Sequence, residues 1–216
     1  MARIVPIPFR GALVAALAVV TVLVFVSASR SQDAPPAAKA AGTGAEKTVP
    51  VETKAGLRFS VPDAWKIEAP SSSMRQAQIA IPQTKESGDA EGAELVVFHF
   101  GAREGGSVQE NLDRWYAQFE GPDGKPAAAS AKVEKRDVGG LAVTTVDVGG
   151  RYVAPKRPGS PDRYDKPNFR MLGAVVTTPG GNFFFKLVGP AKTVEENAKR
   201  FAAAIDSVKF APPAAR

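Results

Sequence analysis

His99 is the sole histidine of this chain, and cysteine is absent. Those two counts bound the chemistry before any fold is considered. Without cysteine there is no thiolate nucleophile, no disulfide and no thiolate metal site. One histidine rules out a two-histidine metal centre. A Ser-His-Asp relay would have to use His99, which lies in the alternating segment Glu94–Phe100 (ELVVFHF), on the face shared with Leu95 and Val97. That position predicts a structural or half-exposed histidine. No serine is followed three residues later by lysine, and neither a G-x-S-x-G nor a P-loop pattern is present. The carboxylate pairs have plainer explanations. Glu195 and Glu196 stand where a helix begins and its dipole favours negative charge. Asp162 and Asp165 are scattered among basic residues, as in a solvated salt network, and a calcium loop needs more oxygen ligands at regular spacing. The expectation is a protein that is not an enzyme, with no catalytic, cofactor-binding or metal residues and no cofactor.

Binding chemistry has more to work with. Between Arg151 and Arg170 the chain carries Arg151, Lys156, Arg157, Arg163, Lys166 and Arg170 against Asp162 and Asp165, a local excess of four positive charges. The whole chain has net charge +6, and removal of Arg3 and Arg10 with a leader would leave +4. The excess is therefore local. These six residues are the candidate partner-binding set, for an acidic protein or an anionic envelope surface. The plain alternative is a solvated, mobile connection. Nucleic acid is not expected of an exported protein without a stacking platform. Phe183, Phe184 and Phe185 invite a ligand-pocket reading. Strand alternation must put two of the three on one covered side, so core packing explains them better, and the third is left to border a groove between sheet and helix.

The elements that position these residues can be read from periodicity. Arg170–Thr178 (RMLGAVVTT) is apolar on both faces and Phe183–Val188 (FFFKLV) nearly so, which demands cover on both sides of a sheet. Pro179-Gly180-Gly181-Asn182 between them is a hairpin turn signal. Thr193-Val194-Glu195-Glu196 fits a capping box ahead of a helix over about 194–206, with Val194, Ala198, Phe201, Ala202 and Ile205 on one face; a short closing strand follows. Ser107-Val108-Gln109-Glu110 is a second box, opening a helix over about 108–119 with Val108, Leu112, Trp115 and Phe119 along one side. Further strands are expected at Leu57–Val61, stopped by Pro62, at Ala77–Ile81, and in Glu94–Phe100, with a polar loop over Thr84–Gly92. Val133–Val138 and Leu141–Val148 form a hairpin about Gly139-Gly140. Trp65 should plug one end of the core. Arg151–Pro167 reads as a long loop with four prolines. The fold class is α+β: a layered sandwich in which an antiparallel sheet of about seven strands is covered by helices.

The N-terminus speaks to compartment. Arg3 and Arg10 precede an uncharged, mostly Ala/Val/Leu run from Gly11 to Ser29, and Val26-Ser27-Ala28 offers small residues suited to a signal peptidase. The run is also close to the ~20 apolar residues that span a membrane. Residues 1–28 are thus a signal peptide or an N-terminal anchor, and either places the domain outside the cytoplasm, with membrane contact only through that segment. No cysteine follows the run, so lipoprotein processing is excluded. Residues 29–48, rich in Ala and Pro, cannot bury a core and should be a disordered linker, leaving 49–212 as a single domain.

Two motifs carry a family resemblance. GLRFSVPDAWK, a strand followed by Pro and a Trp-containing turn, and NFFFKLVGPAKT, an aromatic strand with a lysine, then Gly-Pro and a final helix, together resemble the PsbP-like α/β/α sandwich class of exported bacterial proteins. The resemblance covers about Val49 to Phe210. It implies an accessory or binding module; the alternative expectation, independent of the resemblance, is a small-ligand binder with a pocket between sheet and helix. The resemblance brings no catalytic signature and no matched partner-binding residue.

Overall fold

The computed structural model describes residues 46–212. Its elements are β1 (Thr48–Glu52), β2 (Leu57–Pro62), β3 (Lys66–Glu68), β4 (Arg75–Ile81), β5 (Ala93–His99), α1 (Val108–Tyr116), β6 (Phe119–Glu120), β7 (Lys132–Val138), β8 (Leu141–Tyr152), β9 (Lys166–Thr178), β10 (Gly181–Pro190), α2 (Ala191–Asp206) and β11 (Lys209–Phe210). Eight strands form one antiparallel sheet in the order β3-β4-β5-β10-β9-β8-β6, with β7 also pairing along β8. The expected α+β architecture is what the chain adopts. The large sheet has eight strands where about seven were expected, and β1, β2 and β11 add a separate three-stranded sheet. The expected closing strand is β11, whereas β3 and β6, of three and two residues, are too short to show a period.

Alternation along the central strands divides the core in two. Phe183, Phe185 and Leu187 of β10, with Leu172, Ala174 and Val176 of β9, face α2 and the small sheet. There Phe59 meets Phe185 edge-on at 5.1 Å between ring centroids. Phe184, Val175 and Met171 face the other way, beneath Leu112 and Trp115 of α1 and Phe119. All three phenylalanines are buried, so the third lies under α1 and does not border a groove. Both faces are covered over Met171–Val176 of β9 and Phe183–Phe185 of β10, as these continuous apolar runs require. At Gly173 the indole of Trp115 packs directly on the strand: a Cβ there would come within 2.7 Å of it.

The Ser107–Glu110 box forms as expected, and the Ser107 amide and hydroxyl hold the Glu110 carboxyl below its usual range. The helix ends at Tyr116, and Phe119 instead belongs to β6, opposite Tyr152 of β8. The second box does not form. α2 begins two residues before Thr193, after Pro190, so Thr193 is already inside the first turn. Its backbone N–H (2.9 Å) and hydroxyl (2.7 Å) both donate to the Asp89 carboxylate, while Glu196 accepts from Thr84. The polar 84–92 loop thus caps α2 from a distance. Trp65 is buried as expected and donates to Asn197 of α2 at 3.0 Å. Gly139 and Gly140 take φ of 59° and 83°, the left-handed pair that a tight β7–β8 hairpin requires. The 1–28 leader or anchor and nearly all of the 29–48 linker lie outside the described residues. At the linker's end, Thr48 already starts β1 and Glu46 is bonded to Arg200 at 2.8 Å. Among the described residues, no helix is long and apolar enough to cross a membrane.

Candidate functional site

The segment read as a loop from Arg151 to Pro167 is shorter and more ordered than its prolines suggested. β8 continues through Tyr152 and β9 starts at Lys166. The intervening 153–165 segment folds back on itself as a finger. Tyr164 N donates to Ala154 O at 2.9 Å, Lys156 N to Asp162 O at 2.8 Å, and Val153 N to Gln118 O at 2.8 Å. Pro155 and Arg163 bridge as a strand pair. Prolines stop the ladder from lengthening but do not prevent these bonds, because the donors come from the residues between them.

The finger does not gather the six basic residues into one patch. Arg151 pairs with Asp165 at 2.7 Å and Glu120 at 3.0 Å, and Asp165 is held below its ordinary range by that guanidinium. Lys166 pairs with Glu91 at 2.6 Å. Arg170 makes two bonds to Asp147, at 2.8 and 2.7 Å, and points to the α2 face, sharing a crevice with Ala198 and Phe201. The Arg163 Nε donates to Val153 O at 2.7 Å and ties the finger together. Lys156 and Arg157 remain, and among the described residues no ion pair engages either.

These two form a wall of a groove of about 660 Å³. Its other walls are Ser71–Arg75 before and within β4, Arg114 and Gln118 at the end of α1, and Tyr152 with Tyr164. The floor is the sheet face carrying Glu94, Val96 and Phe98 of β5 with Lys186 and Val188 of β10. Met74, 50% exposed, stands at the lip. A second hollow of about 710 Å³ adjoins it, the two sharing Glu94, Tyr152, Tyr164 and Val188. The stacked rings of Tyr152 and Tyr164, 5.5 Å apart, belong to that shared wall. In the second hollow the Lys166 ammonium is already neutralised by Glu91. The first differs in its floor.

Lys186 is that difference. Its Nζ donates to Gln118 Oε1 and, at 3.4 Å, to the Tyr152 hydroxyl, and lies 5.4 Å from the Tyr152 ring centroid. Its hydrogen-bond partners are thus neutral. The neighbouring carboxylate, Glu94, is engaged with Arg75 at 3.1 Å. Burial pushes the Lys186 ammonium down to about 8, the pull of Glu94 opposes this, and Arg75 adds to it. Burial likewise raises the Tyr152 phenol to about 12, so it stays a neutral donor at physiological pH. A titratable group perturbed by desolvation in a cleft marks a functional site more often than a chance surface position does.

Sequence reasoning passed over Lys186, although a signal was present. In FFFKLV it is the one charge in a strand apolar on both faces, and alternation puts it with Phe184 and Val188. Charged groups are rarely buried without a partner. His99, by contrast, has the structural role expected: its ring stacks on Phe183 at 4.2 Å and its Nδ1 meets Asn182 O at 3.0 Å. Among the described residues, no group of three or more His, Asp or Glu side chains could hold a metal ion.

No protein-family model and no curated protein matches the sequence. Among solved structures, the chain is similar to the solution structure of cyanobacterial PsbP (CyanoP) from Synechocystis sp. PCC 6803. The identity is 16% and the TM-score 0.47, over 82% of this chain and 100% of that one. At that identity no residue role is carried from one chain to the other.

Proposed function

We propose that this protein is a non-enzymatic binding or accessory module that works outside the cytoplasm and docks an acidic segment of a partner protein against the 153–165 finger. The observation that carries this reading is the pair Lys156 and Arg157. Arg163, the finger's other base, commits its guanidinium to the Val153 carbonyl, whereas these two have neither an ion pair nor a side-chain hydrogen bond among the described residues and stand on an ordered support beside the groove. The apolar lip adds contact area, with Met74 50% and Tyr164 37% exposed. Location outside the cytoplasm rests on Arg3, Arg10 and the apolar run behind them. A small-ligand reading is favoured by a separate observation, the groove volume of about 660 Å³, which falls in the range of small-molecule sites.

Attraction between exposed charges is screened over about 8 Å at physiological ionic strength. Capture of a protein from the native envelope by the immobilised chain should therefore weaken steeply with added salt. Lys156→Gln with Arg157→Gln should slow association more than it changes dissociation, as charges at an interface rim do. Arg163 is unsuited to this test because its replacement would loosen the finger. Capture by the double variant equal to that of the native chain at low salt would refute docking at the finger.

A further inference from the structure

We propose that the floor of the groove is a binding site for a monocarboxylate with an apolar body, such as a medium-chain or aromatic organic acid. The inference goes beyond the docking of a protein partner and does not depend on it.

Charge complementarity selects the ligand's sign. Around Lys186 stand Arg75 from β4, Arg114 from α1, and Lys156 and Arg157 from the finger, against Glu94 of β5. Tyr152 and Tyr164 are the other titratable groups lining this groove. The cations differ in how far they are already engaged. The Arg75 Nη1 donates to Glu94 and Gln78, both at 3.1 Å, and the Arg114 Nη1 to Asn111 at 3.0 Å. Lys186 alone carries its charge at the floor with neutral partners.

One buried ammonium beside one phenolic hydroxyl matches one carboxylate. Lys186 can donate to one oxygen and Tyr152 to the other, and the floor holds no second cation with neutral partners for another carboxylate, which would have to reach the wall at Lys156 and Arg157. The apolar body has its own surface in Val96, Phe98, Val188, Pro155 and Met74, where removing apolar area from water favours binding. Ligand and proton are linked. A carboxylate placed on Lys186 raises the pKa of the amine above its unliganded value of about 8. Binding above that pH therefore takes up a proton, and affinity is highest below pH 8 and falls as the pH rises past it.

Calorimetric titration of the full chain with decanoate, decanol and decyltrimethylammonium, all below micelle concentration, tests the site. Decanoate should bind one to one at pH 7, at least tenfold tighter than decanol, with decyltrimethylammonium the weakest. The advantage of decanoate over decanol should shrink to threefold or less at pH 9.5. Lys186→Met should abolish the advantage while decanol binding persists. In the native chain, the Lys186 amine followed by NMR should titrate at higher pH with decanoate present, a readout independent of any variant. Equal binding of acid and alcohol would overturn the proposal, as would an advantage unchanged in Lys186→Met, an unmoved amine titration, or no binding by any probe. A hexaglutamate peptide that binds through Lys186 where decanoate does not would equally overturn it, in favour of a partner's acidic segment.

Discussion

A lysine held among neutral groups leaves a trace in stability as well as in binding. In the unfolded chain the Lys186 amine titrates near the ordinary lysine value of about 10.4, whereas in the folded protein it titrates at about 8. Below pH 8 both states carry the proton, and folding must bury the charge. Between those two values the unfolded state binds more protons, so stability rises with pH across that window. Lys186→Met, which keeps the length of the side chain and removes the charge, should be more stable than the native chain at pH 7 by roughly 1–2 kcal/mol. The gain should be largely gone at pH 10. Urea unfolding of the two proteins at both pH values measures it, and a gain independent of pH would show that the ammonium is not desolvated. The residue was legible as an anomaly in FFFKLV, but its neighbours were not, because Gln118 and Tyr152 come from distant stretches of chain.

At the scale of elements, the same distinction separates the two helices. The α1 cap is local: Ser107 and Glu110 are three residues apart, and the pattern needs nothing else to form. The α2 cap is not. Pro190 has no N–H to offer, so the helix can start directly behind it, and the amide of Thr193 then faces Asp89 of a loop about a hundred residues earlier. Asp89→Ala should therefore destabilise the fold by about 1–2 kcal/mol, the usual cost of a lost N-terminal cap, aided by the loss of a negative charge near the helix start. Glu196→Gln should cost far less, because its carboxylate meets only the Thr84 hydroxyl. Chemical denaturation compares them; equal losses would mean that the local box matters after all. The finger follows the same logic. Its three prolines argued for irregular chain, while Tyr164 and Lys156 found backbone partners across the finger and Val153 found one at Gln118, contacts that exist only once β8 and β9 return beside the end of α1.

For the whole molecule, the two-sided burial of β9 and β10 decides the layering. α2 and the small sheet close one face, α1 closes part of the other, and the remainder of that face is the groove floor. That uncovered portion is what gives this architecture a site. The compartment prediction belongs to the full chain. Protein isolated from its native envelope should begin after Ala28 if the leader is removed, or keep residues 11–28 in the membrane fraction if it is an anchor. N-terminal sequencing of that protein decides between the two, and a product in the cytoplasm beginning at residue 1 or 2 would refute export.

The sequence by itself determined the fold class, the central strands, the buried faces of both helices and the absence of residues for cysteine or two-histidine chemistry. Those follow from period, composition and turn residues, which are local. It also placed the positive charge between Arg151 and Arg170. Only the tertiary structure decided which of those charges stay available, since Arg151, Lys166 and Arg170 are each matched by carboxylates 14 to 75 residues away. It alone turned Lys186 from a strand residue into the floor of a groove. Periodicity records which face a side chain takes, whereas a partner or a cavity exists only once separate segments meet across the sheet.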